Sequence, residues 1–479
     1  MQHISSTADI IGPVLILDHT EERQLHLAAL FIVPHGVPLP DVTTANGQAH
    51  STRLASYSKA EIWAARFTLP TDQSSWYTWN GETFSVATDY ANDLRIAYVS
   101  CNGEEHGDLE REGSERNAMW ARLKEQHKTQ PFGLLLHGGD QVYADEATHD
   151  HPLSVGWPEK LPRDPSRAEL QDLHTHLREK FFERYASLYR SPEFAWIAAR
   201  VPSLMQWDDH DICDGWGSLR RSRTYSPVGQ TLFTVAREAF LVFQHASTSD
   251  SLPRRFKDSQ GHHLGWDIAL PNLRIVAPDL RSERTRRDIM GSGGWKQIEA
   301  TRDQTFEGQT FLMSSVPLLG PRLSLIEAIM VLIPQMQKYE DDLRDQWQSR
   351  AHRDSWRRML RLVIDMCQQP NHNVTALSGE IHLATRATMR LKAGDEMHQL
   401  VASGIAHRAP PKAWARILGN LAWLGEAPLA QHPIRIRRIP GQRFRYVAER
   451  NYLILERQNE AWTASWDIES SGLSAPMQI

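Results

Sequence analysis

The feature that most constrains the fold is a change of sequence pattern near residue 93. Before it, short apolar runs are separated by turn residues such as Asn46-Gly47 and Asn80-Gly81, a pattern typical of antiparallel strands. After it, strand-like apolar runs alternate with helical segments such as residues 167–190. The predicted strand runs are residues 95–100, 133–137, 203–207, 273–277, 310–314, 374–377 and 399–402. Alternation of this kind predicts an α/β fold whose sheet is layered against helices.

The same change suggests two domains. We predict an N-terminal antiparallel β-sandwich over residues 1–92 and an α/β domain over residues 93–479 that ends in further β segments. Residues 228–246 and 323–369 read as helical, and the charged run Glu340-Asp341-Asp342 marks a turn or a solvated face in the second of them.

Charge and composition argue against bulk attraction to polyanions. The formal net charge is −5, so there is no strong nucleic-acid signature and no reason to expect binding to an anionic membrane. An arginine run near the C-terminus, comprising Arg435, Arg437, Arg438, Arg443 and Arg445, alternates with apolar residues. That alternation favours the solvated face of a strand over a phosphate or nucleic-acid patch.

The expected location is the cytoplasm. Three cysteines are too few for a disulfide framework, and the N-terminus lacks both a secretion signal and a twin-arginine motif. The most apolar stretch, residues 318–336, is interrupted by Gly320, Pro321, Arg322 and Glu327. We therefore expect a buried helix there and no membrane span. The oligomeric state is not predicted.

Side chains that bind metals follow four of the predicted strands. They stand in the segments Ser100-Cys101, Gly138-Gly139-Asp140-Gln141-Val142-Tyr143, Asp208-Asp209-His210-Asp211 and Ser378-Gly379-Glu380-Ile381-His382. In open α/β sheets, ligands bind beyond the carboxyl ends of the strands. Four such segments at one sheet edge predict a metal site more readily than four unrelated turns.

These motifs resemble the alkaline phosphatase D (PhoD-like) branch of the calcineurin-like metallophosphatases. The matching features are GDxxY, WDDHD followed by DGWG, SGExH and an SC pair on the first strand. Residues 279–284 and 314–318 resemble two further segments of that branch, LDxRxxR and VSSxPL. The resemblance implies a metallophosphatase-type layered α/β sandwich and a phosphate-ester substrate.

The resemblance also implies a dinuclear or multinuclear metal centre. Asp140 resembles the carboxylate that bridges both metals, and Asp209 stands where the wider superfamily has the Asn of its GNH[DE] motif. His382 resembles the last His of the GHxH motif. Cys101 occupies the position of the first-strand Asp, and in PhoD-like proteins Cys and the Tyr matching Tyr143 bind iron. Thiolate and phenolate are donors that suit ferric iron, so we expect Fe together with Ca, Mn or Zn.

Two departures from the family pattern concern the second metal. Glu380 stands where PhoD-like proteins have the Asp of GDxH, and Glu is one methylene longer. No clear counterpart of the superfamily's HxP ligand is present in the sequence. We keep Glu380 as a predicted ligand and expect the second site to be weaker or partly filled.

The expected reaction uses a metal-bridged hydroxide that attacks phosphorus in line with the leaving oxygen. His210 resembles the adjacent catalytic histidine and would protonate the leaving group or orient the phosphate. The neighbouring Asp208, Asp209 and Asp211 are expected to raise its proton affinity.

Other residues are weaker candidates. Arg281 and Arg284 would bind substrate oxygens bidentately or form structural ion pairs, and the sequence leaves both roles open. His407 follows a strand run and is predicted to line the pocket. The acidic loop after Tyr143, beginning at Asp145, would add a ligand or form a lid, although a solvated loop is favoured.

The leading hypothesis for function is a metal-dependent phosphomonoesterase or phosphodiesterase. One alternative is a thiol hydrolase that uses Cys101 as its nucleophile. The other is a binding protein that has the metallophosphatase fold and a degraded metal site, as Glu380 and the missing HxP motif suggest. Metal content distinguishes these hypotheses.

Overall fold

The computed structural model describes residues 9–321 and 345–479. In chain order, the strands are β1 (Ile11–Glu21), β2 (Gln24–Pro34), β3 (Val42–Thr44), β4 (Gly47–Gln48), β5 (His50–Ser56), β6 (Ala60–Pro70), β7 (Ser75–Trp79), β8 (Glu82–Val86), β9 (Leu94–Val99), β10 (Leu134–His137), β11 (Ser203–Met205), β12 (Trp266–Leu270), β13 (Leu273–Ala277), β14 (Gly308–Met313), β15 (His372–Ser378), β16 (Ala384–Arg390), β17 (Glu396–Val401), β18 (Ile434–Arg437), β19 (Tyr446–Val447), β20 (Asn451–Gln458), β21 (Ala461–Ile468), β22 (Gly472–Leu473) and β23 (Met477–Gln478).

The α-helices of the described residues lie between these strands. They are α1 (Gly113–Arg116), α2 (Ala118–Thr129), α3 (Arg167–Arg190), α4 (Pro192–Ala198), α5 (Arg221–Thr224), α6 (Pro227–Ala239), α7 (Ser292–Asp303), α8 (Arg353–Cys367) and α9 (Lys412–Leu421). All seven predicted strand runs coincide with strands. The predicted helix at 167–190 is confirmed as α3, which begins with a capping box between Ser166 and Glu169.

Two large sheets form the centre of the molecule. The first has the order β22-β21-β20-β9-β10-β11-β1-β2-β6-β5, with β23 paired to β21. The second has the order β12-β13-β14-β15-β17-β16-β18, with β19 paired to β16. Strands β9, β10 and β11 are parallel, and so are β13, β14, β15 and β17. The carboxyl ends of neighbouring parallel strands therefore lie together at one edge of each sheet.

The two sheets pack against each other and contribute residues to one apolar core cluster. Trp466 of β21 donates its indole N–H to the carbonyl of Val401 in β17 at 2.9 Å. Phe311 of β14 meets Trp462 of β21 edge to face, with ring centroids 4.9 Å apart. Helices α3 and α4 contact β1 on one outer face, and α8 contacts β15 on the other. The predicted layered α/β sandwich is confirmed.

The N-terminal strands are antiparallel among themselves, as predicted. Strands β3, β4, β7 and β8 form a separate four-stranded sheet. Strands β1, β2, β5 and β6 instead extend the first large sheet, because β1 pairs in parallel with β11. The division into domains 1–92 and 93–479 stays a prediction.

Each of the predicted helical segments 228–246 and 323–369 contains an α-helix. At 228–246, α6 ends at Ala239 and a π-helical turn, Phe240–Gln244, follows it. Residues 322–344 lie outside the described residues. They include Glu340-Asp341-Asp342 and most of the apolar stretch 318–336. In the described remainder of the predicted helical segment 323–369, the helix is α8. Within residues 9–321 and 345–479, no helix has the length and apolarity needed to cross a bilayer.

Candidate metal centre and active site

Loops from both sheets converge on one site. Cys101 follows β9, Asp140 follows β10 and Asp209 follows β11 in the first sheet. His382 follows β15 in the second sheet, and Ser403 follows the neighbouring β17. The convergence arises because these strands run in parallel and the two sheets face each other.

Four of the predicted ligands have left-handed backbone conformations. The φ angles are 55° at Cys101, 56° at Asp140, 66° at Glu380 and 52° at His382. This region is unfavourable for residues with a Cβ, and such residues cluster at functional sites, where the surrounding structure holds them. Gly139, at φ 112°, precedes Asp140, and a Cβ on it would lie 2.6 Å from Cβ of Asp208. Glycine is therefore required there.

Asp211 fixes the relative position of two of these loops. Its carboxylate accepts backbone N–H bonds from Asp140 at 2.8 Å, Gln141 at 3.1 Å and Asp208 at 2.9 Å. It thereby joins the loop after β10 to the loop after β11. The prediction that Asp208, Asp209 and Asp211 raise the proton affinity of His210 is supported for Asp209, and for Asp208 and Asp211 it stays a prediction.

The first cluster of metal-binding atoms comprises Cys101, Asp140 and His382, which each offer one atom within 4.8 Å of the others. Cys101 Sγ lies 3.4 Å from Oδ2 of Asp140 and 3.2 Å from Oγ of Ser403. Tyr143 joins this side of the site, because its hydroxyl lies 3.1 Å from Nε2 of His382. The structure thus brings together four of the predicted ligands.

The second cluster comprises Asp140, Asp208 and Asp209, again within 4.8 Å. Asp140 is common to both clusters, so its position allows it to contact two cations. Asp208 was not among the ligands predicted from the sequence. Asp209 also forms a third cluster with His210 and Asp214.

Burial and neighbouring charge shift the pKa values of these groups. Burial, and next the charge of Asp208, raise the pKa of Asp140 well above its ordinary range. Burial and the charge of Asp140 raise the pKa of the Cys101 thiol. Burial also raises the pKa of Tyr143 and lowers that of His382. Each shift penalises the charged form, and a bound cation would oppose the shifts of the acidic groups.

His210 lies in a short 3₁₀ turn, Asp209–Asp211, beside this cluster. Its Nδ1 lies 3.0 Å from Oδ2 of Asp145, and its ring stacks on Tyr143 at 4.3 Å. Burial alone would lower the pKa of His210, but the carboxylates of Asp145, Asp209 and Asp140 outweigh it and raise that pKa well above 6.5. Asp145 is buried, although a solvated loop was predicted at this position. Its position shortly after the GDxxY motif is the sequence feature that could have indicated a role in the site.

His407 and Glu380 line the same cavity. His407 stacks on His382 with ring centroids 3.5 Å apart, and its Nε2 lies 3.3 Å from Glu105. Glu380 accepts hydrogen bonds from Nε2 of Gln346 on both carboxylate oxygens, at 2.9 and 2.7 Å. Glu380 lies in none of the three clusters described above, and its role as a ligand stays a prediction.

Arg281 and Arg284 are buried in an ion network. Arg281 is fully buried and pairs with Asp208, with Asp209 at 3.3 Å and with Asp345 at 2.8 Å. Arg284 pairs with Asp345 at 2.8 Å. Of the two roles left open by the sequence, this geometry favours the structural ion pair, and substrate binding by either arginine stays a prediction.

The site opens into a cavity of about 580 Å³. Polar residues of the site line one part of it, including Asp140, Asp209, His210 and His382. Apolar side chains line another part, including Leu319, Ile381, Pro411, Trp414 and Leu418. A cavity of this size and mixed lining suits a small organic ligand.

The donor set fits a metal centre. Oδ1 of Asp140 and Oδ2 of Asp208 are buried without a hydrogen-bond partner among the described residues. Buried carboxylate oxygens are normally satisfied, and an ion is one explanation when they are not. Thiol, phenol, imidazole and carboxylate groups meet there, a mixture that transition metals accept better than magnesium does.

Comparison with known proteins finds a relative in yeast. A curated relative from Saccharomyces cerevisiae, the uncharacterized protein YGR266W, is 24% identical over 383 residues, which cover 67% of this chain and 54% of that protein. The chain thus spans about half the length of that relative.

Two solved structures are similar to the chain. One is described as "Structure of PhoD", with a TM-score of 0.60, 13% identity, and coverage of 98% of this chain and 88% of that one. The other is GAP50, described as the anchor in the inner membrane complex of Plasmodium, with a TM-score of 0.40, 8% identity, and coverage of 81% and 89%. The similarity to PhoD shows a shared fold.

The sequence model of one family, described as "PhoD related phosphatase", matches residues 81–339, more than half of the chain. This match confirms the resemblance recognised in the sequence motifs. The chain belongs to the PhoD-related phosphatase family.

Proposed function

We propose that this chain is a metal-dependent phosphoric-ester hydrolase that acts on phosphomonoesters, phosphodiesters or both. The observation that carries the proposal is the buried, unpartnered oxygen of Asp140, which is common to two clusters of metal-binding side chains. Membership in a phosphatase family supports a phosphate-ester substrate.

Cys101, Asp140, Tyr143, Asp209 and His382 are the residues that would hold the metal, with Glu380 as a further predicted ligand. A thiol and a phenol side by side favour iron, accompanied by Ca, Mn or Zn. The chemistry that such a centre supplies is Lewis-acid polarisation of the phosphoryl group and a source of hydroxide near neutral pH.

His210 is the acid in this proposal. Asp145 accepts the Nδ1 proton and fixes the orientation of the ring, so Nε2 is the nitrogen that remains for the substrate. The carboxylates around it keep the ring protonated. A proton at Nε2 can pass to the leaving oxygen or bind a phosphate oxygen. The apolar side chains of the cavity would contact the organic part of the ester.

The structure gives little support to a thiol hydrolase. Cys101 is fully buried, and burial together with the charge of Asp140 raises the pKa of its thiol. A nucleophilic cysteine needs the opposite, a lowered pKa and access to the substrate.

Cytoplasmic location remains part of the proposal.

One preparation tests the function. Purified protein, made without chelators and with metal supplementation, is analysed for bound metals and assayed on p-nitrophenyl phosphate and bis-p-nitrophenyl phosphate. We expect iron or a mixed metal content of more than one ion per chain, and hydrolysis that chelators abolish. Bound metal without hydrolysis of either ester would favour the binding-protein alternative, and no bound metal would overturn the proposal.

A further inference from the structure

A second cavity, of about 1,020 Å³, lies at the edge of the second large sheet and is lined by arginines. We call it the arginine groove, and its described charged and aromatic lining residues are Arg353, Arg386, Arg435, Arg437, Arg438, Arg445, Glu426 and Trp423. It shares none of its described lining residues with the cavity of the candidate metal centre.

The alternation along β18 builds the groove. Ile434 and Ile436 are buried in the apolar core of the second sheet. Successive side chains of a strand point to opposite faces, so Arg435 and Arg437 lie on the other face. β18 is an edge strand, and Arg435 and Arg438 are exposed to solvent there. The sequence pattern that favoured a solvated face is also the pattern that concentrates arginines here.

Most of these guanidinium groups lack an acidic partner. Arg437 pairs with Glu396 at 2.6 Å, and Arg353 pairs with Glu426 at 3.2 Å. For the other four, no carboxylate among the described residues lies within 4.0 Å, and these are Arg386, Arg435, Arg438 and Arg445. In a chain with a formal net charge of −5, this is a local excess of positive charge.

Two of the arginines form a like-charge pair that the carboxylate of Glu396 offsets only in part. Arg386 of β16 stands directly opposite Arg437 of β18 in the strand register. Like charges opposite each other across antiparallel strands destabilise the pair. Arg386 is also partly buried, where it donates to the carbonyl of Arg438 at 2.7 Å. A bound anion would offset both the repulsion and the burial.

We infer that the arginine groove binds a small ligand that carries two or more phosphate groups. Guanidinium groups bind phosphate oxygens bidentately, and four of them without a carboxylate can engage more than one phosphate. The overall negative charge of the chain opposes binding to an extended nucleic acid, and a concave cavity suits a compact ligand. The inference is independent of the proposed hydrolase activity.

Isothermal titration with inorganic tripolyphosphate tests the inference. The full-length protein is compared with the double variant Arg435→Gln/Arg438→Gln, in which both substituted residues are exposed. The matched control is Arg167→Gln/Arg190→Gln, which removes two exposed arginines from the ends of α3. Because both substituted arginines would bind phosphate oxygens, we expect roughly a hundredfold weaker binding in the groove variant. The control should bind as the wild type does.

Three further measurements make the result decisive. Thermal melts of both variants should match the wild type, because the substituted side chains are exposed. Titration after metal removal should give the same affinity, which excludes binding at the metal centre. Equal binding by the groove variant and the control, or binding lost with the metal, would overturn the inference. Tighter binding to a DNA duplex or to phosphoinositide vesicles than to tripolyphosphate would also overturn it, in favour of a macromolecular partner.

Discussion

The negative charges on the two sides of the candidate metal centre differ in how far positively charged side chains compensate them. On the side of Cys101, Asp140 and His382, no lysine or arginine among the described residues forms an ion pair with Asp140. On the side of Asp208 and Asp209, the fully buried Arg281 supplies a positive charge. The same kind of side chain, a buried aspartate, therefore has two different environments.

The pKa shifts of Asp140 and Asp209 follow this difference, whereas burial raises the pKa of Asp208 to about 6 although Arg281 opposes the shift. Burial and the charge of Asp208 raise the pKa of Asp140. Burial would also raise the pKa of Asp209, but Arg281 and His210 outweigh it and lower that pKa below 3.8. A cation bound on the first side would stabilise the charged form of Asp140, whereas the chain itself supplies part of the compensation for Asp209 on the second side. We expect the first side to be the stronger metal site.

The largest expected effect is that of Asp140→Asn. This substitution removes the carboxylate common to both clusters, and a metal centre supplies several kcal/mol of transition-state stabilisation. We expect kcat/KM for p-nitrophenyl phosphate to fall by on the order of 10⁴ and the metal content to fall with it. Asp150→Asn, at an exposed aspartate that pairs with Lys180, is the control and should change neither. Full activity in Asp140→Asn would exclude its assigned role.

The next effect separates His210 from the ligands. If His210 donates a proton, His210→Ala should keep its metal and lose about 10²–10⁴ in kcat. The loss should be smaller for esters with a good leaving group, because these need less protonation. A loss that is independent of leaving-group pKa would assign His210 to phosphate binding. Loss of the metal would make it a ligand, as its cluster with Asp209 and Asp214 also allows.

A third prediction tests the role of the buried positive charge of Arg281. Arg281→Met leaves Asp208, Asp209 and Asp345 without their shared positive charge, and breaking a buried ion pair in this way costs about 3–5 kcal/mol of unfolding free energy. Added divalent metal should restore part of that stability, and more of it than in the wild type. Urea unfolding with and without metal measures both quantities. An equal response to metal in the two proteins would show that Arg281 does not share the role of the cation.

The smallest expected effect is the pH dependence of stability that two buried histidines, His127 and His137, cause. Burial lowers the pKa of His127 and His137 from 6.5 to about 4. The folded state keeps them neutral, so their contribution to stability is complete above pH 6.5 and is lost as the pH falls from 6.5 towards 4. Each should cost about 2 kcal/mol of unfolding free energy between pH 7.5 and 5.

In urea unfolding, His127→Gln should reduce the dependence of the unfolding free energy on pH. The control His149→Gln, at an exposed histidine, should not. An unchanged slope in His127→Gln would contradict the assignment.

The sequence predicted the strands, and it predicted that Cys101, Asp140 and His382 each follow a strand and lie together, because strand runs and the residues that end them are local features. It could not predict contacts that depend on packing between distant loops. Asp145 meets His210 across 65 residues, and Arg281 meets Asp208 across 73 residues. Motif spacing also could not show that Asp211 accepts backbone amides while Asp209 faces the cavity. Alternation in β18 indicated its solvated face but not that the arginines of neighbouring strands share it.

The most direct test is anomalous diffraction from crystals of the metal-supplemented protein, with data collected at the absorption edges of iron, manganese and zinc. We expect a strong peak within coordination distance of Cys101, Asp140 and His382. We expect a weaker second peak beside Asp209 that shares Asp140 as a ligand. Anomalous peaks confined to other parts of the molecule, with none beside Asp140, would contradict the proposed metal centre.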